Sequence, residues 1–411
     1  MGAELRLIIH RGAREIGGSC VELKTKNTRL LIDFGLPLVE NDNKSFDLKA
    51  IIDKRIDGIL ISHSHLDHYG LLQYIDSNIP VYMSQGAKSL IDVSKLFLPV
   101  KIDNINAQVI GNKQPFQIGD FKITPYLVDH SAFDAFAFLI EAEGKRLFYS
   151  GDFRAHGRKA VLFKQLVDNP PKDIDCLLME GSALGRDDAQ YKTESEVEKR
   201  FIEILKERAN ITFLFASSQN IDRIVSAYRA CLKADSIFVI DIYTAFILDK
   251  LSKVSKRIPQ FNWKNIRVKF LKSHANALVK AGYRDLLFTY NKSKIDMIEI
   301  NRNKNKILML TRDNSVFPLI IKGIKGVTGA RIAYSMWDGY LTEEFRKFCK
   351  SKGLNLEYIH TSGHATTEDL KTFAAALKPK HLIPIHTFDA EKYPKWFENV
   401  KILRDGEELV L

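Results

Sequence analysis

The sequence predicts an α/β protein in which one domain is inserted into another. Three observations carry that expectation. Short apolar strands dominate the chain as far as Glu180, helix and strand alternate from Thr193 onward, and an apolar strand returns late, at Leu382–Ile385. A chain of 411 residues is also too long for one typical domain.

The early elements follow from side-chain periodicity. Leu5–Ile9, Ser19–Lys24 and Arg29–Asp33 alternate apolar and polar positions, as strands with one wet face do. Asp57–Ser62 is a continuous apolar run, the pattern of a strand buried on both faces. Phe121–Val128, Ala137–Glu141, Lys145–Ser150 and Cys176–Glu180 continue the series, with Gly144 marking a tight hairpin turn. Thr193–Arg208 then opens with Thr193 and Glu196 in capping-box spacing and places Val197, Phe201, Ile204 and Leu205 on one helical face.

The insert reads as a parallel sheet. Strands at Ile211–Ala216, Ser236–Asp241, Arg267–Leu271, Lys306–Leu310, Arg331–Tyr334 and Leu356–His360 alternate with helices such as Asn220–Lys233 and Thr244–Val254. Val400–Leu411 reads as a hairpin around Asp405-Gly406. The expected outer domain is therefore 1–187 plus 359–411, and the expected insert is 188–358.

Composition narrows the partners. No apolar run approaches the roughly 18 residues that span a bilayer, and Met1 to Gly12 shows no secretory signal. Cys20, Cys176, Cys231 and Cys349 are scattered and form no paired motif, which suits reduced, packed thiols in a cytoplasmic protein. Basic residues outnumber acidic ones by 11, a surplus that favours a polyanionic partner such as nucleic acid.

The strongest chemical signal follows the buried strand. His63-Ser64-His65-Leu66-Asp67-His68 places four metal-ligand side chains in six positions. In an extended segment His63 and His65 project to one side and grip one cation, while Asp67 and His68, being adjacent, point apart and suit a second. His130, Asp152 and His386 each stand just past a strand, and Gly151 leaves room for a close backbone approach. Asp152 is the best bridging carboxylate between two cations about 3.5–4 Å apart, where water ionises near neutral pH and attacks phosphorus.

This pattern resembles the metallo-β-lactamase superfamily. Asp33, the run from His63 to His68, His130 and Asp152 match its first four motifs in order. Glu180, His364 within Thr361-Ser362-Gly363-His364-Ala365, and His386 within Pro384-Ile385-His386 are similar to the three later motifs of the β-CASP nucleases, especially ribonuclease J-like enzymes. The resemblance implies an αββα sandwich carrying an inserted β-CASP domain with a parallel sheet. It implies one metal on His63, His65, His130 and Asp152, and a second on Asp67, His68, Asp152 and His386. Two zinc ions fit the His-rich ligation, with manganese the alternative. Asp33 and Glu180 would orient ligands or His364, and His364 would protonate the leaving oxygen. His360, Ser362, Ser217 and Ser218 are further candidates for phosphate contacts. Histidine at the position of His386 goes with RNA-acting members, so a ribonuclease, exonuclease or endonuclease, is expected.

The rivals are a DNA nuclease of the same fold, which the family pattern at His386 opposes, and a small-molecule hydrolase, which lacks such an insert. Only 25 residues follow His386, so the resemblance is to shorter β-CASP members, with a homodimer among the assemblies left open. Two other features bear on RNA contact. Lys292, Lys294, Arg302, Lys304 and Lys306 read as a solvated connection more readily than as an RNA-facing loop. Tyr334, Trp337 and Tyr340 read as packing more readily than as base-stacking residues.

Overall fold

The computed structural model describes residues 4–38, 46–98, 101–102, 104–186 and 190–411. Two compact units emerge. The first comprises Met1–Ile91, Pro99–Asp187 and Gly363–Leu411, and the second Asp92–Leu98 and Asp188–Ser362. The expected junction at 187/188 lies outside the described residues. The short segment Asp92–Leu98 joins the second unit through hydrogen bonds such as Gln219 Nε2 to Ser94 Oγ at 2.9 Å.

The first unit is an αββα sandwich. One sheet runs, edge to edge, through Glu408–Val410, Arg6–Arg11, Cys20–Lys24, Arg29–Ile32, Gly58–Leu60, Pro80–Met83 and Asn106–Val109. The other runs through His381–Ile385, Cys176–Glu180, Lys145–Tyr149, Phe136–Ala142, Phe121–Leu127 and Phe116–Ile118. Period-two alternation splits each central strand between two apolar layers. Phe136, Phe138 and Ile140 join Leu30, Ile32 and Leu60 in the layer between the sheets. Ala137 and Leu139 pack on the opposite face with Phe148, Leu177 and the helix residues Leu370 and Phe373. Leu31, Ile59 and Ile61 meet Ile51, Ala87 and Ile91 beneath the other helical layer.

Local rules account for most boundaries. Glu143 and Gly144 both take positive φ, 51° and 73°, between the paired residues Ala142 and Lys145, as a two-residue type I′ turn requires. Thr193 caps helix Glu194–Lys206 by accepting from the Glu196 amide, but the Glu196 carboxylate accepts from Lys192 instead, so the capping box is half made. Four cysteines are free and buried.

The second unit holds an all-parallel sheet. Its order is Lys294–Ile295, Ile266–Lys269, Ile237–Asp241, Ile307–Thr311, Thr212–Phe215, Arg331–Tyr334 and Asn355–Tyr358. One face carries Phe213, Phe215, Val239 and Met309 against Phe317, Ile320 and Phe345.

Three expectations are corrected here. The 400–411 segment is no hairpin: Glu408–Val410 pairs antiparallel with Arg6–Arg11, while Val400 bridges in parallel to Leu382. Pairing to distant strands outcompeted the local turn. The basic stretch around Lys292–Lys306 is not a connection. It forms the short strand Lys294–Ile295 and helix Met297–Asn303, anchored by buried Ile295 and Ile300. Tyr334 is a core residue, whereas Trp337 and Tyr340 are exposed.

Glu22 ties one helical layer to its sheet. Its carboxylate accepts from His10 Nε2 at 2.8 Å and from Arg29 at 2.7 Å, and Arg29 also donates to Ile51 O at 2.9 Å. Burial alone would raise the Glu22 pKa, but these hydrogen bonds hold it down, from an ordinary 4.5 to about 2. A depressed carboxylate contributes stability above its unfolded pKa and loses it as pH falls through the folded one, here on the order of 3 kcal/mol in total. Glu22→Gln should therefore flatten the acid limb between pH 4.5 and 2 in urea titrations at stepped pH. An unchanged limb would show that Glu22 carries none of that dependence.

Candidate metal centre

Strand ends build the site within the first unit. Arg29–Ile32 and Gly58–Leu60 run parallel, as do Lys145–Tyr149, Cys176–Glu180 and His381–Ile385. Past their carboxyl ends stand Asp33, His63, Asp152 and His386, with Glu180 closing its strand and His130 following Phe121–Leu127. Carboxyl ends of parallel strands are where open α/β sheets gather functional groups.

The run from His63 to His68 changes conformation midway. His65 lies in extended backbone, but Leu66–Tyr69 forms a helical turn with His65 as its N-cap. The expectation that Asp67 and His68 point apart is therefore wrong. The turn aims both inward, with His68 Nε2 3.6 Å from Asp67 Oδ2. The Gly151 expectation also changes. Gly151 adopts φ 54°, and a Cβ there would sit 2.7 Å from Phe136 O, so neighbouring backbone demands the glycine.

Among the described residues eight side chains offer ligand atoms in four overlapping groups: His63, His65 and His130; His63, His68 and Asp152; Asp67, His68 and His386; Asp152, His364 and His386. His65 Nδ1 lies 3.1 Å from His63 Nε2 and 3.3 Å from His130 Nε2. Nitrogens bound tetrahedrally at the zinc distance stand about 3.3–3.4 Å apart, so the spacing fits a first-row cation. Asp152 Oδ2 sits between the groups, 3.8 Å from His63 Nε2, 3.2 Å from His68 Nε2 and 3.5 Å from His386 Nε2. The His68 nitrogen is buried without an aligned hydrogen-bond partner among the described residues, as expected of an atom aimed at a cation.

Hydrogen bonds behind the rings fix which nitrogen faces inward. His68 Nδ1–H donates to Asp33 Oδ2 at 2.8 Å. His63 Nδ1–H reaches Ser62 Oγ at 3.0 Å, and that hydroxyl donates onward to Asp33 Oδ2 at 2.8 Å. His130 Nδ1–H donates to Gly363 O at 2.6 Å. Each pattern leaves the Nε2 lone pair free for a metal. His386 differs: its Nδ1 faces the Gly17 amide at 3.3 Å and the Ser19 hydroxyl at 2.9 Å. For its Nε2 to act as a ligand, Nδ1–H must donate to Ser19.

Electrostatics keep four of these five imidazoles neutral. Burial and neighbouring rings push the pKa of His63 and His130 down, and that of His65 to about 4, so these imidazoles stay neutral. His386 is also lowered, chiefly by burial. Asp152 resists burial and remains ionised because His386 and His68 flank it. His68, despite burial, is raised by Asp152 and Asp33.

Beside this cluster His364 Nδ1 approaches Glu180 Oε1 at 3.3 Å, and Asp152 Oδ2 at 3.8 Å. Burial would lower the His364 pKa, but Glu180 and then Asp152 raise it to about 9. Glu180 is itself held by the Ser182 amide at 2.9 Å and the Ala365 amide at 3.3 Å. Arg154, fully buried, lies 3.4 Å from Asp129, the neighbour of His130.

The weaker candidates belong to the second unit. Ser217 is exposed, while the buried Ser218 hydroxyl is engaged by Thr244 Oγ1 at 2.6 Å and by Arg312. His360 Nδ1 stands 3.5 Å from buried Arg223, and Ser362 is half-buried. Sequence reasoning missed Ser62, Tyr149, Ser19, Ser182 and Arg154. Only Ser62 carried a signal, its place directly before His63.

Residues 28–209 match the beta-lactamase superfamily domain, and residues 353–393 match the Zn-dependent metallo-hydrolase RNA specificity domain. Over 91% of its length the chain is 24% identical to ribonuclease J of Helicobacter pylori, and over 99% it is 22% identical to ribonuclease J 2 of Streptococcus pyogenes. The chain is a member of the metallo-β-lactamase superfamily and is similar to ribonuclease J-like proteins of its β-CASP branch. It covers 55% of the Helicobacter protein and 76% of the Streptococcus one, so this β-CASP chain spans about half the length of the first of these relatives. A crystal structure of a protein of unknown function from Enterococcus faecalis shares the fold, with a TM-score of 0.78, 21% identity, and coverage of 99% of this chain and all of that one. No helix among the described residues is long and apolar enough to cross a membrane.

Replacing Asp152 with Ala removes the oxygen that faces His63, His68 and His386. The purified variant should carry less divalent metal by mass spectrometry and show no metal-dependent rise in melting temperature. Retention of the native metal content would show that Asp152 is not a ligand.

Proposed function

We propose that the chain is a metal-dependent ribonuclease that hydrolyses phosphodiester bonds of RNA. The observation that carries the reading is Asp152 Oδ2, which faces His63, His68, His386 and His364 within 3.2–3.8 Å. In this reading His63, His65 and His130 hold one cation, Asp67, His68 and His386 hold a second, and Asp152 is shared. Neutral imidazoles favour zinc. Two cations bound there would supply Lewis-acid stabilisation of phosphoryl oxygens and make water nucleophilic at neutral pH.

The remaining chemistry belongs to the chain. Glu180 receives the Nδ1 proton of His364 as a hydrogen bond, which turns Nε2–H toward the leaving oxygen. A raised pKa keeps that proton in place at neutral pH, and its delivery completes bond cleavage. Asp33 keeps His68 and, through Ser62, His63 in the ligating tautomer. RNA as substrate is supported by the match to an RNA specificity domain and by relatives that are named ribonucleases.

The deciding experiment uses one RNA labelled at its 5′ end, carrying a monophosphate or a triphosphate, beside the same sequence as DNA. Early release of a labelled mononucleotide from the monophosphate form marks a 5′-to-3′ exonuclease. Internal fragments from both forms mark an endonuclease. Cleavage of DNA alone, or of neither, would overturn the ribonuclease reading. His364→Ala should retain its metal yet slow single-turnover cleavage by about 10²–10⁴-fold, the usual worth of a general acid. An unchanged rate would remove His364 from that role.

A further inference from the structure

We propose that Trp337, with Tyr340 beside it, is a stacking platform for a base of single-stranded RNA; the proposal rests on the ribonuclease reading above. The pair stands in the loop that follows strand Arg331–Tyr334, at the carboxyl edge of the parallel sheet. Both rings are exposed, Trp337 by 42% and Tyr340 by 51%, and they meet edge to face with centroids 5.2 Å apart.

Packing and hydrogen bonds anchor the loop at both ends. Met336 and Leu341 pack into the apolar layer of the second unit, so the residues between them are thrown outward. Tyr340 N–H donates to Trp337 O at 3.1 Å, and Leu341 N–H to Asp338 O at 2.8 Å. Ser335, at the loop's start, donates from its amide to Phe215 O at 2.8 Å and from its hydroxyl to Ile359 O. The loop is thereby tied to the backbone directly before His360.

Gly339 reveals how the indole is oriented. A Cβ built there would fall 2.4–2.6 Å from three atoms of the Trp337 six-membered ring. The ring therefore lies against the bare Cα of Gly339 and stands at 87° to the Tyr340 ring. Gly339 is required by this approach and not by its backbone angles, since its φ is not in the left-handed region. A large aromatic held in place at the surface costs little further entropy on binding, which suits stacking. The Asp338 carboxylate beside it disfavours a phosphate, so a base is the nucleic-acid group this spot accepts.

The test leaves Trp337 as the only one of the chain's three tryptophans, through Trp263→Phe and Trp396→Phe, with His364→Ala added to slow cleavage. Titration with oligouridylate should quench Trp337 emission, while duplex RNA of the same length, whose bases are already stacked, should not. In the otherwise native chain, Trp337→Ala should bind the oligomer about 5- to 100-fold more weakly, the range for one stacked base. Trp337→Phe should recover part of the loss. Gly339→Ala, which keeps the indole but displaces it, should reproduce it. Unmoved emission together with unchanged affinity in Trp337→Ala would overturn the platform. A native chain that cuts no RNA would instead overturn the ribonuclease reading, and the titration still decides whether the platform binds.

Discussion

One buried carboxylate organises the candidate centre. Asp33, fully shielded from solvent, accepts from the Ser62 amide at 2.7 Å, the Ser62 hydroxyl at 2.8 Å, the Tyr149 hydroxyl at 2.7 Å and His68 Nδ1 at 2.8 Å. Four donors satisfy both of its buried oxygens. The same contacts lock two sheets together at the site, because Ser62 follows one and Tyr149 ends a strand of the other. They also settle the tautomers of two imidazoles before any cation arrives. Geometry and protonation are thus set by a residue that never faces the centre itself.

The arrangement follows from strand polarity. Every strand that delivers a ligand ends at the same rim, so short polar segments after Ile32, Leu60, Tyr149 and Ile385 meet without long excursions. Interior packing then holds that rim. Phe136, Phe138, Leu147 and Tyr149 fill the space between the sheets and leave little freedom to the residues just beyond them.

Much of this was legible in the chain. Strands buried on both faces announced themselves as apolar runs, and Thr193 and Asn220 marked helix starts that their side chains do cap. Ligand types were legible because three histidines and an aspartate within six residues have few other uses. What escaped was tertiary. Nothing local tells Glu408–Val410 to pair with Arg6–Arg11, and nothing in the spacing of Asp67 and His68 reveals a helical turn. Tyr149 looked like another core aromatic in phase with Leu147, and only the fold shows its hydroxyl turned to Asp33. Helix Met297–Asn303 was hidden by its many polar residues, since one buried isoleucine is enough to seat it.

The ligands are far apart along the chain, and this has a consequence for synthesis. A ribosome makes His63 early and His386 more than three hundred residues later. His386 is then placed by a strand that pairs in parallel with Cys176–Glu180, a contact of long sequence separation and hence slow to form. Until that pairing the nascent chain holds only part of the ligand set. No finished centre can exist before that last strand has left the ribosome and paired.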